Sequence, residues 1–169
     1  MATPSDERTI VITGFMGTGK STIASRLSTR LVRPLMDTDA VIVRRAGMPI
    51  ARIFATLGEP AFRKMERDLC REIAASHGMV VATGGGMLVD PANRELVAQS
   101  CWVVCLEATP DVLAARLSRS TARPLASTWR PLYEARREAY ATIPIHVDTS
   151  TRSPEETVEE IISLWSRSR

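Results

Sequence analysis

Gly14-Phe15-Met16-Gly17-Thr18-Gly19-Lys20-Ser21 is the stretch from which the fold can be read. It fits G-x-x-x-x-G-K-[ST], a loop whose backbone N–H groups cradle the phosphates of a nucleoside triphosphate. Glycines suit that task because phosphate oxygens approach where a Cβ would stand. A helix starting just after the loop points its positive end at the same anion. The flanks agree: the apolar run 9–13 reads as a buried strand and 21–31 as a helix. The expected nucleotide contacts are Gly17, Thr18, Gly19, Lys20, Ser21 and Thr22, with Lys20 on the terminal phosphates and the Ser21 hydroxyl on Mg²⁺.

Outward from this loop, short apolar runs alternate with segments of helical period. Strands are expected at 34–36, 79–82, 101–106 and 145–147, and helices at 41–46, 49–57, 59–76, 91–98, 110–117, 129–140 and 154–165. Ser153 is the expected N-cap of the last helix. This alternation predicts an α/β fold: a three-layer, doubly wound P-loop architecture around a five-stranded parallel sheet. One domain spanning 1–169 is expected, with no repeat or linker to divide it. The unpatterned stretch 118–128 reads as a short mobile lid.

Composition narrows the class. With 44% hydrophobic and 24% charged residues the chain reads as a soluble globular protein. Its net charge of +3 is too mild to argue for nucleic acid. No apolar run approaches the ~20 residues of a membrane span, and residues 1–8 lack the apolar core of a signal peptide. A cytoplasmic monomer is expected. Cys70, Cys101 and Cys105 follow no C-x-x-C spacing and read as buried thiols.

Candidate site residues follow the strands. Asp37 and Asp39 can serve Mg²⁺ and a substrate hydroxyl, or can form a turn in which Asp39 caps the next helix. With the phosphate loop upstream the first reading is preferred. Arg63 and Glu66 share one helix face and can pair, on a helix otherwise crowded with surface charge. Gly84-Gly85-Gly86, directly after a strand, gives no packing and costs entropy, so something must approach that backbone closely; a substrate meeting backbone N–H groups is preferred to a flexible loop. Arg116, Arg119 and Arg123 surround the lid, where arginine can meet phosphate as a loop closes. Arg136 and Arg137 are ambiguous, and His77 and His146 read as structural.

Taken together, GFMGTGKST, the DTD of Asp37 to Asp39, the FRKME from Phe62, the TGGG from Thr83 and the RPL from Arg123 stand in the order found in shikimate kinases. The chain resembles that family from Ile10 to Trp165. The resemblance implies transfer of the γ-phosphate of ATP to the 3-hydroxyl of shikimate, with Mg²⁺. It implies Lys20, Asp39 and Arg123 as catalytic groups and Ser21 with Asp37, through water, at the metal. Asp39, Arg63, Glu66, Gly84, Gly85, Gly86 and Arg136 would bind shikimate, the glycines through backbone donors. Arg116, Arg152 and Pro154 would flank adenine. Two features depart from the family pattern: the lid is several residues short, and Arg136-Arg-Glu-Ala-Tyr140 stands where Arg-x-Pro-Leu-Tyr is expected. A gluconate- or polyol-type kinase and a non-catalytic nucleotide-binding regulator are the alternatives.

Overall fold

A computed structural model describes residues 7–119 and 128–168. Five strands, β1 (Ile10–Gly14), β2 (Leu35–Asp37), β3 (Val80–Ala82), β4 (Trp102–Glu107) and β5 (His146–Asp148), pair in the order β2-β3-β1-β4-β5. Every pairing is parallel, with Val11 beside Val81 on one side and Val103 on the other. The architecture is the expected α/β one.

Strand residues alternate between two apolar layers, which is why the strands read as continuous hydrophobic runs. Ile10, Ile12, Val104 and Leu106 face α1 (Lys20–Leu31) and α8 (Pro154–Arg167), which contribute Leu27, Ile161 and Trp165. Val11, Val81, Val103 and Cys105 face the opposite layer. That layer draws on α2 (Thr38–Ala46), α3 (Ile50–Leu57), α4 (Glu59–Ala74), α5 (Pro91–Ser100), α6 (Pro110–Ser118) and α7 (Trp129–Ala141). The three cysteines are free and buried in it, and burial pushes their thiols up, to about 12 for Cys70 and Cys105 and about 11 for Cys101.

Several boundaries differ from expectation for local reasons. Helix α2 begins at Thr38, not 41, because Asp37 caps it: its Oδ1 accepts the Ala40 N–H at 3.1 Å. Asp39 therefore lies inside the first turn and is not the cap. Helix α4 ends at Ala74, and a 3₁₀ turn, η1 (Met87–Val89), follows the glycine triplet. Ser153 caps α8 as expected, in a reciprocal box with Glu156. His77 forms a β-bridge with Arg8, and His146 bonds Glu107, at 2.6 Å, and the Ile143 carbonyl. Of the lid, Arg123 and its neighbours lie outside the described residues.

The end of α1 carries local strain. The Val32 N–H donates to Thr29 O and the Arg33 N–H to Ser28 O, closing the helix with Val32 at φ 53°. Val32 is 91% exposed, so packing does not offset a left-handed β-branched residue, which costs about 1–2 kcal/mol. Val32→Gly should raise stability by about 1 kcal/mol in urea unfolding, glycine's extra unfolded-state freedom offsetting part of the relief. A lower midpoint would contradict the strain.

Candidate active site

The carboxyl ends of β1, β2 and β3 open into one cleft of about 790 Å³, with α3, α4 and α7 as its outer walls. The phosphate loop forms one end. Its shape depends on the Phe15 carbonyl, which accepts from the Thr18 hydroxyl at 2.7 Å and the Lys20 Nζ at 2.9 Å. Gly17 and Gly19 adopt φ of 84° and 96°, a left-handed backbone that would strain any other residue. Gly17, Gly19, Lys20, Ser21 and Thr22 line the cleft, whereas the Thr18 side chain is buried beneath the loop.

Asp37 joins this end through its second carboxylate oxygen. The Ser21 hydroxyl donates to Asp37 Oδ2 at 3.4 Å, while Oδ1 holds the α2 cap. The turn that follows carries Thr38 inward and Asp39 into the cleft. Among the described residues no group of three histidine, cysteine or acidic side chains is gathered as a metal centre.

The far end is built from arginines around glycine. Arg63 Nη1 donates to Glu66 Oε2 at 2.6 Å, and Arg63 also reaches Glu59 at 3.2 Å. Glu66 is only 2% exposed, so the pair is not the surface contact that spacing alone suggests. Burial pushes the Glu66 carboxyl up; Arg63 and Arg136 pull it down, and Asp39 adds to the rise. The Arg63 guanidinium stays charged, held above its ordinary range by Glu66 and Glu59 against the desolvation of burial.

Gly84, Gly85 and Gly86 form the floor. A Cβ on Gly84 would stand 2.5 Å from Asp39 Oδ1, and one on Gly86 would stand 2.8 Å from Arg63 Nη1 and 3.2 Å from Arg136 Nη2. A Cβ on Gly85 would lie 3.3 Å from Arg136 Nη1. The close approach expected of this triplet is thus made by the site's own side chains. One expected backbone donor is already engaged: the Gly84 N–H donates to Thr38 Oγ1 at 2.8 Å.

Arg136 lines the cleft, but Arg137 does not; it is 68% exposed and pairs with Glu134 at 3.5 Å. Arg116, Arg152 and Pro154 lie outside the cleft, on the β5 side of the loop. Arg116 donates to Gly17 O at 3.1 Å and to Thr149 O at 2.7 Å. Arg152 donates to Asp148 O at 3.0 Å, and Pro154 opens α8. Sequence reasoning passed over three hydroxyls that hold these parts together. Thr38 engages Gly84, Thr149 donates to Thr18 O at 3.0 Å, and Tyr140 donates to the Gly85 carbonyl. Only Tyr140 had a legible signal, its position four residues after Arg136.

Comparison with known proteins bears on the family. The sequence model described as shikimate kinase matches residues 16–165. A shikimate kinase of Geobacter sulfurreducens is 42% identical over 97% of this chain and 94% of that protein. The structure of shikimate kinase from Acinetobacter baumannii in complex with shikimate superposes with a TM-score of 0.87 at 29% identity, covering 96% of this chain and 95% of that one. A gluconokinase from Sinorhizobium meliloti shares the fold at TM-score 0.64 and 19% identity, covering 96% and 93%. Since the fold is common to both kinds of kinase, the full-length sequence match carries the assignment, and by it the chain belongs to the shikimate kinase family.

Proposed function

We propose that this cleft transfers the γ-phosphate of ATP to the 3-hydroxyl of shikimate. The observation that carries the reading is the convergence of the Arg63 and Arg136 guanidiniums on Gly86, with Asp39 against Gly84, in the cleft that also holds the phosphate loop. Two planar forks of donors at one point suit a carboxylate, and a carboxylate beside them suits ring hydroxyls. A hydroxylated acid is the acceptor such an end selects.

Lys20 and the loop N–H groups bind the transferring phosphate, and Lys20 stabilises the charge that develops on it. Asp39 binds the ring hydroxyls and orients the attacking one, taking its proton. Glu66 holds Arg63 in place, and the N–H groups of Gly85 and Gly86 face the acceptor. Arg123, from the lid, closes over the phosphates; Arg116, Arg152 and Pro154 flank adenine.

The donors at Ser21 and Asp37 fit Mg²⁺: a hydroxyl and a carboxylate, both hard oxygens, adjoin each other beside the phosphate loop. Mg²⁺ is ordinarily held by one or two carboxylates plus substrate phosphate, so the lack of a larger acidic cluster among the described residues suits it. Ser21 and Asp37 would hold the ion there, and it would supply charge neutralisation of the phosphates. The reading includes one domain over 1–169, acting as a monomer in the cytoplasm. Among the described residues no helix is long and apolar enough to cross a membrane.

A coupled ADP-release assay with shikimate, quinate and gluconate tests the reaction. Turnover is expected on shikimate; turnover on gluconate alone would refute the acceptor. Arg136→Ala should raise the shikimate KM by at least about tenfold, the loss of one charge-assisted contact, with the ATP KM little changed. Arg137→Ala should leave both near wild type, and the reverse pattern would reassign the grip.

Glu66 adds a pH signature. Its carboxyl is held above the ordinary carboxylate range, chiefly by burial. A raised folded pKa contributes stability that is present below the unfolded value of about 4.3 and lost as pH rises through the folded one. Glu66→Gln removes that loss, so its melting temperature should match wild type near pH 4 and exceed it near pH 7. A gap that is constant with pH would contradict the shift.

A further inference from the structure

The glycine floor is braced from α7. Its backbone is closed on two sides by the 3₁₀ turn itself: Met87 N–H donates to Gly84 O and Val89 N–H to Gly86 O, each at 3.2 Å. The Gly85 carbonyl between them is reached instead by the hydroxyl of Tyr140, 55 residues later. Tyr140 is 6% exposed and lies one helical turn beyond Arg136, on the same face of α7. The Arg136 guanidinium lies against the same glycine, its Nη1 3.3 Å from where a Cβ on Gly85 would stand.

The direction of this bond is dictated by chemistry. A carbonyl only accepts, so the phenolic hydrogen must point at Gly85. Arg136 and the Tyr140 hydroxyl thus meet one residue of the floor, the guanidinium against its Cα side and the hydroxyl at its carbonyl. Burial pushes the phenol up to about 12, so the hydroxyl keeps its proton across the neutral range.

We propose that Tyr140 is a positioning residue of the acceptor site, whose hydroxyl fixes Gly85, and through that floor the seat of Arg136, so that both guanidiniums meet one carboxylate. The proposal rests on reading the cleft as a shikimate site. A floor that shifts at Gly85 also shifts at Gly86, against which Arg63 and Arg136 both rest. Tyr140 thereby acts on the acceptor without touching it. The phosphate loop has anchors of its own in Phe15 O, Thr149 and Arg116, and its spacing from the floor is an ordinary one, a Cβ on Gly85 lying 3.7 Å from Gly14 O.

Tyr140→Phe removes only the oxygen. The expected result is a rise of about tenfold in the shikimate KM, an ATP KM within about twofold of wild type, and a melting temperature within about 3 °C. In an Arg136→Ala background the same change should have little further effect on the shikimate KM, since the floor that Tyr140 fixes then seats no guanidinium from α7. Equal effects in the two backgrounds, an unchanged shikimate KM, or parallel rises for both substrates would each overturn the positioning role. So would a Tyr140→Phe chain that melts about 10 °C lower, because the hydroxyl would then be a bond of the fold. Wild-type turnover is the control for the underlying reading. Its absence removes the acceptor and the proposal together, whereas wild-type turnover with an indifferent Tyr140→Phe removes the brace alone.

Discussion

The pairing of β1 between β3 and β4 is the constraint on which the site depends. All five residues of β1 are buried, and its neighbours fix it in parallel register on both edges. At its end a Cβ on Gly14 would stand 2.4 Å from the Leu106 carbonyl, so only glycine lets the strand finish there. The chain must then turn at the carboxyl end of the strands, and the three-residue reach from Phe15 to Thr18 makes that turn with its own carbonyl as anchor. The phosphate loop is thus less a motif added to a sheet than the way this strand ends.

The same logic gives the second half of the cleft. Strands β2 and β3 pair in register, with Asp37 beside Ala82, so the residues just after each strand emerge side by side. Thr38 and Gly84 meet there, buried, and their hydrogen bond holds the aspartate turn against the glycine floor. Asp39 lies over Gly84 because both adjacent turns leave the sheet at one point. Parallel pairing brings the phosphate-loop end and the arginine end into one cavity, which is why ligands in such sheets lie at the carboxyl ends of strands.

Much of this was legible in the sequence, because the decisive features are local. The phosphate loop, the aspartate pair and the glycine triplet each sit within a few residues of a strand end. The strand and helix alternation fixed the architecture without knowledge of any contact. What escaped notice depends on long-range pairing: Thr38 with Gly84, Thr149 with Thr18, Tyr140 with Gly85. The cap, the less favoured reading of Asp39, belongs to Asp37: the two aspartates offer the same side chain two positions apart, and only the turn's path selects between them. Arg136 could have been separated from Arg137 by helical phase. Trp129, Tyr133, Arg136 and Tyr140 recur at helical spacing, and the buried Trp129 and Tyr140 show that this stripe faces inward.

Position 66 shows what the arginine end of the cleft costs the fold. Along α4 the buried positions are Phe62, Glu66, Leu69, Cys70 and Ile73, so the carboxylate occupies a place in the apolar stripe. A hydrophobic side chain there would be expected to pack at least as well, since a buried ion pair seldom outweighs the desolvation of its members. What the carboxylate gains is geometry. Arg63 is held through its Nη1 by Glu66 and through Nε and Nη2 by Glu59, at two different edges of one planar group. A side chain that otherwise has many rotamers is fixed before any ligand arrives, and the ordering entropy is met on folding instead of on binding. The buried carboxylate is therefore best understood as preorganisation of Arg63, obtained at the expense of stability in the helix that carries it.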